Sequence, residues 1–392
     1  MSEPILRGDW SYPTRVRFGA GRIAELPAAC REVGIGRPLL VTDPLLAEHA
    51  MVHAALEGLR QAGLPVGVFS DLRPNPLGRD VAEGVRAFRE GGHDGVIAFG
   101  GGSALDVGKA IAFMSVQERP LWDFEDIGDY WTRARTEGIA PIVAVPTTSG
   151  TGSEVGRAAA IIDEATHTKK IVFHPRMMPA QVIADPALVT GLPPRLTAAT
   201  GMDALAHCLE AYCAVGYHPL ADGIALEGLR LIHDWLPVAF RDGGNLQARA
   251  HMMAASAMGA TAFQKGLGAI HALSHPVGSV YDAHHGLCNG VFAPYVLAFN
   301  RPAIEERMER VAAYLGLPGE SYDSVLKWLL ELRAVLGIPH RALELGLKEE
   351  QIDALAEMAA VDPTAAGNPV PLDAGALAGL YRAALEGTLP QT

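Results

Sequence analysis

Histidine residues concentrate in one short stretch of the second half of the chain. The 392 residues include 14 histidines, and four of these lie within residues 268–286. His271 and His275 are four residues apart, so a helix would place both side chains on one face. His285 stands directly before Gly286, which favours a turn that returns the chain to the same place. The stretch therefore predicts a cluster of imidazoles.

A second pair of metal-binding side chains lies upstream with helical spacing. Asp203 and His207 are also four residues apart, among Ala, Leu and Met in an apolar pattern. Together with His271 and His285 they can converge as one carboxylate and three imidazoles. This donor set suits a borderline divalent cation such as Fe(II) or Zn(II), whereas Ca(II) and Mg(II) prefer oxygen ligands.

Each pair also has a simpler interpretation. A single buried histidine is more often a hydrogen-bonded core residue, and one Asp/His pair on a helix is often only a side-chain contact. The combination favours a metal site, because a carboxylate buried among apolar residues without a partner is costly.

Composition restricts the class of protein. Apolar residues make up 49% of the chain and charged residues 19%, which favours large cores over disorder. The net charge is -12 with no basic run, so we expect neither a nucleic-acid partner nor a membrane surface. The N-terminal sequence lacks a signal-peptide pattern, and no stretch has the ~18 continuous apolar residues of a membrane span.

The cysteines indicate the compartment. The four cysteines (Cys30, Cys208, Cys213 and Cys288) form no CxxC pair. We interpret them as reduced thiols of a cytoplasmic protein.

The pattern of predicted secondary structure changes near 186–193. Before this point short apolar runs alternate with helical patterns, which predicts strands at 37–43, 66–70, 94–100, 140–146 and 181–185, with a hairpin at 158–163 and 170–173. After it, only helices are predicted, at 194–214, 219–238, 245–264, 268–281, 286–299, 303–315, 321–336, 349–360 and 373–386. We therefore predict an N-terminal α/β dinucleotide-binding domain with a parallel sheet over 1–188 and an all-α metal-binding domain over 189–392.

A glycine loop follows the third predicted strand. Gly100, Gly101, Gly102 and Ser103 allow the backbone to approach an anion, and the next helix offers free N–H groups for a pyrophosphate. A tight strand-to-helix turn explains the same glycines. Asp43, after the first strand, could accept hydrogen bonds from ribose hydroxyls and would repel a 2′-phosphate, which favours NAD over NADP. It could equally cap the helix that follows Pro44.

Hydroxyl side chains and glycines follow the strand at 140–146. Residues 147–153 include Thr147, Thr148 and Thr151. They could line a cofactor cleft or form an ordinary polar loop.

Four motifs give the chain a resemblance to a known family. The motifs are GGGSALDVGK at 100–109, PTTSGTGSEV at 146–155, GMDALAHCLE at 201–210, and the histidine stretch at 268–286. They occur in the family's order, and the resemblance extends over about residues 10–385. On these motifs the chain resembles the iron-containing (group III) alcohol dehydrogenases. The resemblance implies an NAD(P)-dependent enzyme that carries Fe(II), or alternatively Zn(II), and forms a homodimer or a larger homo-oligomer.

The resemblance also implies roles for individual residues. Asp203, His207, His271 and His285 match the four metal ligands of the family, and His275 matches a histidine near the substrate. The positions that contact the nucleotide in the family are matched by Asp43, Asn75, Gly101, Gly102, Ser103, Thr147, Thr148 and Lys169. Thr151 belongs to the hydroxyl-rich segment that we expect to help hold the nicotinamide.

Three features depart from the family pattern. Proline often precedes the last ligand, but His284 stands there, so a ligand swap between His284 and His285 stays open. Ala158 and Ala262 replace larger side chains found in lactaldehyde-reductase-like members, which suggests a roomier pocket. Lys265 could meet a substrate carboxylate, although a solvated surface lysine is the simpler interpretation.

We therefore predict an NAD-linked alcohol dehydrogenase or aldehyde reductase with a small-molecule substrate. In this hypothesis the metal acidifies the alcohol and His275 relays the proton. A hydroxy-acid dehydrogenase of the 4-hydroxybutyrate/succinic semialdehyde type is an alternative. Further rivals are a maleylacetate-reductase-like enzyme, a dehydroquinate-synthase-like enzyme, which would need a basic cluster, and a non-catalytic metal or nucleotide sensor.

Overall fold

The computed structural model describes residues 8–10, 13–166 and 168–390. Residues 1–7, on which much of the expectation about a signal peptide rests, lie outside this part. The chain forms two compact units, Met1–Thr148 with Gly152–Thr190 and Ser149–Thr151 with Gly191–Thr392. We call them the sheet unit and the helical unit.

The sheet unit is built on seven strands. Their bounds are β1 (Gly8–Trp10), β2 (Arg15–Phe18), β3 (Pro38–Val41), β4 (Gly67–Phe69), β5 (Gly95–Gly100), β6 (Ile142–Pro146) and β9 (Gln181–Ala184). The order across the sheet is β1-β2-β9-β6-β5-β3-β4. Only β1 is antiparallel to its neighbour, and the other six strands are parallel. The predicted parallel sheet is confirmed.

Burial explains why these segments form strands. Every residue of β3, β5, β6 and β9 is buried, as expected for parallel strands covered on both faces. The helices of this unit are α1 (Leu26–Glu32), α2 (Pro44–Ala47), α3 (Ala50–Gln61), α4 (Gly78–Glu90) and α5 (Gly102–Met114). The shorter strands β1 and β2 were not predicted, because charged and aromatic residues interrupt their apolar pattern.

A separate hairpin completes the sheet unit. Strands β7 (Ala158–Asp163) and β8 (Thr168–Phe173) pair antiparallel, with Ala158 opposite Phe173. The hairpin predicted over this segment is therefore confirmed, apart from its turn residue 167, which lies outside the described part.

The order of the strands reverses between β3 and β5. The chain passes from β3 to β4 on one side, and β5 then pairs with the other side of β3. In open α/β sheets such a reversal leaves a crevice at the carboxyl ends of the two strands, where ligands bind. Asp43 follows β3 and Gly101 follows β5, so both predicted nucleotide contacts lie at this crevice.

The helical unit contains no strand among its described residues. Its helices are α6 (Pro194–Cys213), α7 (Pro219–Arg241), α8 (Leu246–Ala262), α9 (Ala269–Tyr281), α10 (His285–Leu315), α11 (Tyr322–Val335), α12 (Ile352–Ala360) and α13 (Ala374–Glu386). They share one core, which includes Leu205, Leu273, Phe292, Tyr295 and Tyr381. Across both units, short 3-10 helices occur at Arg22–Glu25, Leu121–Phe124, Tyr130–Arg133, Ser153–Val155, Pro175–Met177, Pro186–Val189, Phe263–Lys265, Ala342–Leu345, Glu349–Gln351 and Ala365–Gly367.

One predicted helix boundary is wrong. Helices were expected at 286–299 and 303–315, but α10 runs unbroken through Pro294 and Pro302. A proline inside a helix costs about 3 kcal/mol. Buried residues on both sides of Pro302, such as Phe292 and Met308, belong to the same core and offset this cost. Among the described residues, no helix has the length and apolar character needed to cross a membrane.

Candidate active site

Helix α6 supplies two of the predicted metal ligands. Its residues 197–213 are all buried, because other helices of the unit surround it. Asp203 and His207 lie one turn apart on one face, and His207 Nε2 is 3.7 Å from Asp203 Oδ1. A carboxylate that is only 3% exposed needs a partner of opposite charge.

Helices α9 and α10 bring the other two predicted ligands to the same oxygen. His271 lies in the first turn of α9 and His285 is the first residue of α10. The next residue, Gly286, is required by close packing, because a Cβ there would lie 2.2 Å from the carbonyl oxygen of Ala199 on α6. The start of α10 is thus held directly against α6.

The distances in this cluster fit a shared cation. Asp203 Oδ1 is 3.7, 3.9 and 3.5 Å from the Nε2 atoms of His207, His271 and His285. Ligand atoms of Asp203, His207 and His271 all lie within 4.8 Å of one another. Ligands at about 2.1 Å from a tetrahedral metal are roughly 3.4 Å apart. These separations are therefore longer than ordinary hydrogen bonds but close to those of atoms that share a cation. One oxygen and three nitrogens suit Fe(II) or Zn(II).

The pKa shifts of two predicted ligands have clear causes. Burial is the main reason that the pKa of His207 falls to about 4, although the charge of Asp203 opposes it. This ring is therefore neutral at neutral pH, as a metal ligand must be. Burial also acts to lower the pKa of His271, but the hydrogen bond and charge of Glu210 and the charge of Asp203 outweigh it, so the net shift is upward.

Sequence reasoning missed Glu210, which contacts a predicted ligand. Its Oε2 is 2.6 Å from His271 Nδ1, and its Oε1 accepts a 2.6 Å hydrogen bond from the N–H of Ile270. Glu210 lies seven residues after Asp203 on α6. A third polar residue on the same face of an apolar helix was the available signal.

Asn289 was also missed. This residue is fully buried and donates from Nδ2 to Asp203 Oδ1 over 2.8 Å, with the Nε2 atoms of His271 and His285 at 3.4 and 3.2 Å. It lies one turn after His285 on α10, which is the spacing that could have revealed it. Asn289 holds the carboxylate of Asp203 in place.

His275 lies beside the cluster and has its own carboxylate partner. Its ring stacks on that of His285 with 5.3 Å between centroids, and its Nδ1 is 2.8 Å from Asp362 Oδ2. The hydroxyl of Thr364 donates to the other oxygen of Asp362. Burial acts to raise the pKa of Asp362, but its interactions with His275 and Thr364 lower it overall. No local pattern links Asp362 to a residue 87 positions away.

The structure also places the residues that depart from the family pattern. His285 Nε2 faces Asp203, whereas the His284 side chain is exposed as the residue before α10. Lys265 is neither solvated nor available to a substrate. Its side chain is 1% exposed, and it donates to the carbonyl of Tyr212 and to Asp222 at 2.6 Å. Ala262 is fully buried.

In the sheet unit, Asp43 caps a helix and also lies beside the glycine loop. Its Oδ1 accepts a 3.0 Å hydrogen bond from Leu46 and so caps α2. Its Oδ2 lies near the glycine loop, 3.7 Å from where a Cβ on Gly100 would be. Gly100 has φ +150°, and that Cβ would also lie 2.7 Å from Ala104 Cβ. This position therefore requires glycine.

The glycine loop ends at the start of α5. The N-cap residue of this helix is Gly101, and no side chain caps its first turn. The N–H groups of this first turn are available to an anion. Thr147 donates its N–H to the carbonyl of Gly100 over 2.9 Å, and a Cβ on Gly101 would lie 3.4 Å from the methyl group of Thr148. The structure thus brings these predicted contacts together.

Asn75, Ser103 and Lys169 form a second group in this unit. Ser103 donates to the carbonyl of Pro74, and Lys169 Nζ is 3.4 Å from Asn75 Oδ1. Thr151 belongs instead to the helical unit.

A buried polar network in the sheet unit was not predicted. Asp106 on α5 accepts a 2.5 Å hydrogen bond from Ser153 and a 2.9 Å bond from the N–H of Ala160, and it pairs with Lys109 at 3.2 Å. Lys109 is 1% exposed and also donates to the carbonyls of Ser153 and Ala158. These bonds attach the segment after the hydroxyl-rich loop to the helix that begins at the glycine loop.

Comparisons with known proteins agree with this geometry. Residues 13–186 match the family described as iron-containing alcohol dehydrogenase, and residues 197–385 match its C-terminal family. A 4-hydroxybutyrate dehydrogenase of Cupriavidus necator is 39% identical over 369 residues, covering 91% of this chain and 94% of that protein. An NAD-dependent methanol dehydrogenase of Bacillus methanolicus is 36% identical over 362 residues, covering 90% and 93%. The crystal structure of a 1,3-propanediol oxidoreductase superposes with a TM-score of 0.90 at 35% identity, covering 97% and 100%.

The chain belongs to the iron-containing alcohol dehydrogenase family. The resemblance expected from the four motifs is confirmed, and so is the fold class: an α/β unit with a parallel sheet followed by a helical unit.

Proposed function

We propose that this protein oxidises small primary alcohols, or reduces the corresponding aldehydes, with NAD and one divalent metal held by Asp203, His207, His271 and His285. As a member of its family it is an oxidoreductase that acts on CH–OH groups. The observation that carries the residue assignment is the convergence of three imidazole nitrogens on one buried carboxylate oxygen at 3.5–3.9 Å.

Each cofactor supplies one part of the chemistry. A divalent cation bound by these ligands supplies Lewis acidity, which polarises an alcohol or carbonyl oxygen. The nicotinamide supplies the redox chemistry, and the protein supplies binding and orientation. We assign Fe(II) as the metal, with Zn(II) as the alternative, because both accept one carboxylate and three imidazoles.

His275 is the proposed proton carrier. Asp362 accepts from Nδ1 at 2.8 Å, which keeps a proton on that nitrogen and leaves Nε2 with a lone pair for a substrate proton. The dyad is largely buried, so its geometry is fixed before substrate binds.

The proposed nucleotide contacts lie at the carboxyl edge of the sheet. The free N–H groups at the start of α5 would bind the pyrophosphate, and Asp43 would accept from the ribose hydroxyls. Asn75, Gly101, Gly102, Ser103, Thr147, Thr148 and Lys169 complete this proposed site, and Thr151 is proposed as a further nucleotide contact. The charge of Asp43 favours NAD over NADP.

A substrate panel tests this proposal. Apoprotein is reloaded separately with Fe(II) or Zn(II), and absorbance of NADH or NADPH is followed with primary alcohols, diols and ω-hydroxy acids. We expect turnover with NAD and a primary alcohol only in metal-loaded protein. Tight metal and NADH binding without turnover on any substrate would instead indicate a sensor.

A hydroxy-acid substrate is the second candidate, and the 39% identity to a 4-hydroxybutyrate dehydrogenase favours it. The pair 1-butanol and 4-hydroxybutyrate tests it directly, because the two differ only in a methyl group and a carboxylate. A kcat/KM at least about tenfold higher for the acid would correspond to ~1.4 kcal/mol of carboxylate recognition.

We also propose a cytoplasmic homo-oligomer, a homodimer or larger. The four cysteines are buried free thiols, which is typical of a reducing compartment. Light scattering after size exclusion measures the subunit number, and cell fractionation measures the location.

A further inference from the structure

The first turn of α9, which carries the ligand His271, is capped in an unusual way. Its N-cap residue is Gly268, which has no side chain to accept from the free N–H groups. These groups bond to distant residues instead: Ala269 donates to Asn368 Oδ1 over 3.1 Å and Ile270 donates to Glu210 Oε1 over 2.6 Å. Both acceptors are buried.

The glycine makes room for these acceptors. A Cβ on Gly268 would lie 2.8 Å from Asn368 Oδ1 and 3.1 Å from Glu210 Oε1. A helix-capping Ser or Asp at 268 would therefore displace the carboxylate of Glu210. Because residue 268 is glycine, α9 has no side-chain cap of its own, and the carboxylate of Glu210 on α6 has room to reach the start of α9.

The second oxygen of Glu210 contacts the ligand itself. Oε2 accepts from His271 Nδ1 at 2.6 Å, which places the ring proton on Nδ1 and leaves the Nε2 lone pair facing Asp203 Oδ1. The same carboxylate thus fixes the tautomer of the ring, its rotation, and the backbone of the preceding residue.

Asp203, His207 and Glu210 lie on one face of a single rigid helix, at positions i, i+4 and i+7. We propose that Glu210 is a positioning residue of the metal site, and that its contact with His271, rather than its packing, determines how tightly the metal is retained. The proposal rests on the proposed metal ligands, and it does not depend on the substrate or on hydride transfer.

The test measures affinity for Zn²⁺ by chelator competition in wild type and in Glu210→Gln. We expect a 10- to 100-fold rise in Kd, the usual effect of removing a carboxylate behind a metal-bound histidine. Protein loaded with Co²⁺ gives a second readout, because its visible absorption reports the ligand geometry. This spectrum should change in Glu210→Gln, and the Kd for NADH should stay within about twofold.

Asp222→Asn is the matched control. Asp222 is a carboxylate in the same unit that pairs with buried Lys265 at 2.6 Å, in a contact that includes none of the four ligands. The control should lower the melting temperature and leave the Kd for Zn²⁺ unchanged. If Glu210→Gln lowers the melting temperature in the same way and binds Zn²⁺ as wild type does, Glu210 is only a structural residue and the inference is wrong.

Glu210→Asp covers the case in which the Gln variant does not fold. It keeps the charge but withdraws the carboxylate by about 1.5 Å, the length of one C–C bond. A folded Asp variant with weaker Zn²⁺ binding supports the proposal, and one with wild-type affinity overturns it. Failure of wild type itself to bind Zn²⁺ would be a different result, because it would refute the proposed metal site.

Discussion

The two candidate sites of this protein are built in different ways. At the carboxyl edge of the sheet, the groups proposed to bind the pyrophosphate are backbone N–H groups, made available by glycines and by an uncapped helix. In the helical unit the proposed ligands are side chains, three of them buried and His285 half-buried, and His271 and His275 each have a carboxylate behind the ring. The first site depends on backbone conformation and the second on chains of hydrogen bonds. Substitutions should therefore affect them separately.

Two buried glutamates, one in each unit, also differ in what their carboxylates do. Glu210 bonds to His271 and to the N–H of Ile270. Glu154 in the sheet unit is 3% exposed, and burial raises its pKa to about 7, although a backbone hydrogen bond and the charge of Lys109 act to lower it. One buried acid organises a site, whereas the other destabilises the fold when it ionises.

The largest effect should come from His271→Ala. Loss of one ligand should weaken metal binding by more than about 100-fold, more than the loss of an outer carboxylate, and turnover should fall to background. Metal content and NADH formation check this, with NADH binding as the control for the sheet unit. A variant with full metal and full turnover would show that the ligand assignment is wrong.

Glu154→Gln should change how stability depends on pH. The folded pKa of about 7 lies above the ordinary value of 4.5, so wild type loses stability as pH rises from about 4.5 through 7. Gln mimics the neutral acid, so the variant should gain up to about 3 kcal/mol over wild type at pH 8 and almost nothing near pH 4.5.

Melting curves of both proteins between pH 5 and 8 measure this difference. Glu90→Gln, at an exposed position at the end of α4, is the control and should show no such trend. A pH-independent difference for Glu154→Gln would contradict the assigned cause.

Gly100→Ala should damage the sheet site alone. The added Cβ meets Ala104 Cβ at 2.7 Å and the residue keeps a φ that only glycine tolerates, at a cost of about 1–3 kcal/mol. We expect NADH binding to weaken about tenfold while the Kd for Zn²⁺ stays constant, both measured by titration. Gly58→Ala in α3 is the control, since nothing lies within 4 Å of its Cβ and the change should stabilise the helix. Equal effects of the two variants would refute the close-contact argument.

Asp43→Asn should have the smallest effect. Asn caps a helix as well as Asp does, so the melting temperature should not change. Loss of the charge should shift the NAD-to-NADP preference by about tenfold, measured as the ratio of kcat/KM values. Asp43→Ala separates the two roles, because it should also lose about 1 kcal/mol of stability. An unchanged preference would leave Asp43 as a helix cap only.

Much of the candidate metal site could be predicted from the sequence because its residue spacings are local. Asp203 with His207 has a helical spacing, and both residues converge with His271 and His285 in the structure. Asp362 could not be found in this way, because its contact with His275 depends on how a distant loop packs on α9.

Tertiary packing also explains what was misjudged in the fold and its surface. The burial of Lys265 against Asp222 is set by a neighbouring helix and leaves no pattern near Lys265 itself. Pro302 has the local signature of a helix end, but the core on either side of it keeps α10 continuous.

Asp203, His207 and Glu210 share one face of α6 only while their spacing along the helix is kept. The number of residues between them should therefore matter more for the site than the identity of most other side chains of α6. An inserted residue turns everything after it by about 100° around the helix axis. One insertion between Asp203 and His207 would turn both His207 and Glu210 away from the face that carries Asp203, and would misalign α9 as well. Natural or engineered diversity in this stretch should therefore consist of exchanges at constant length, with additions and deletions confined to the connecting loops.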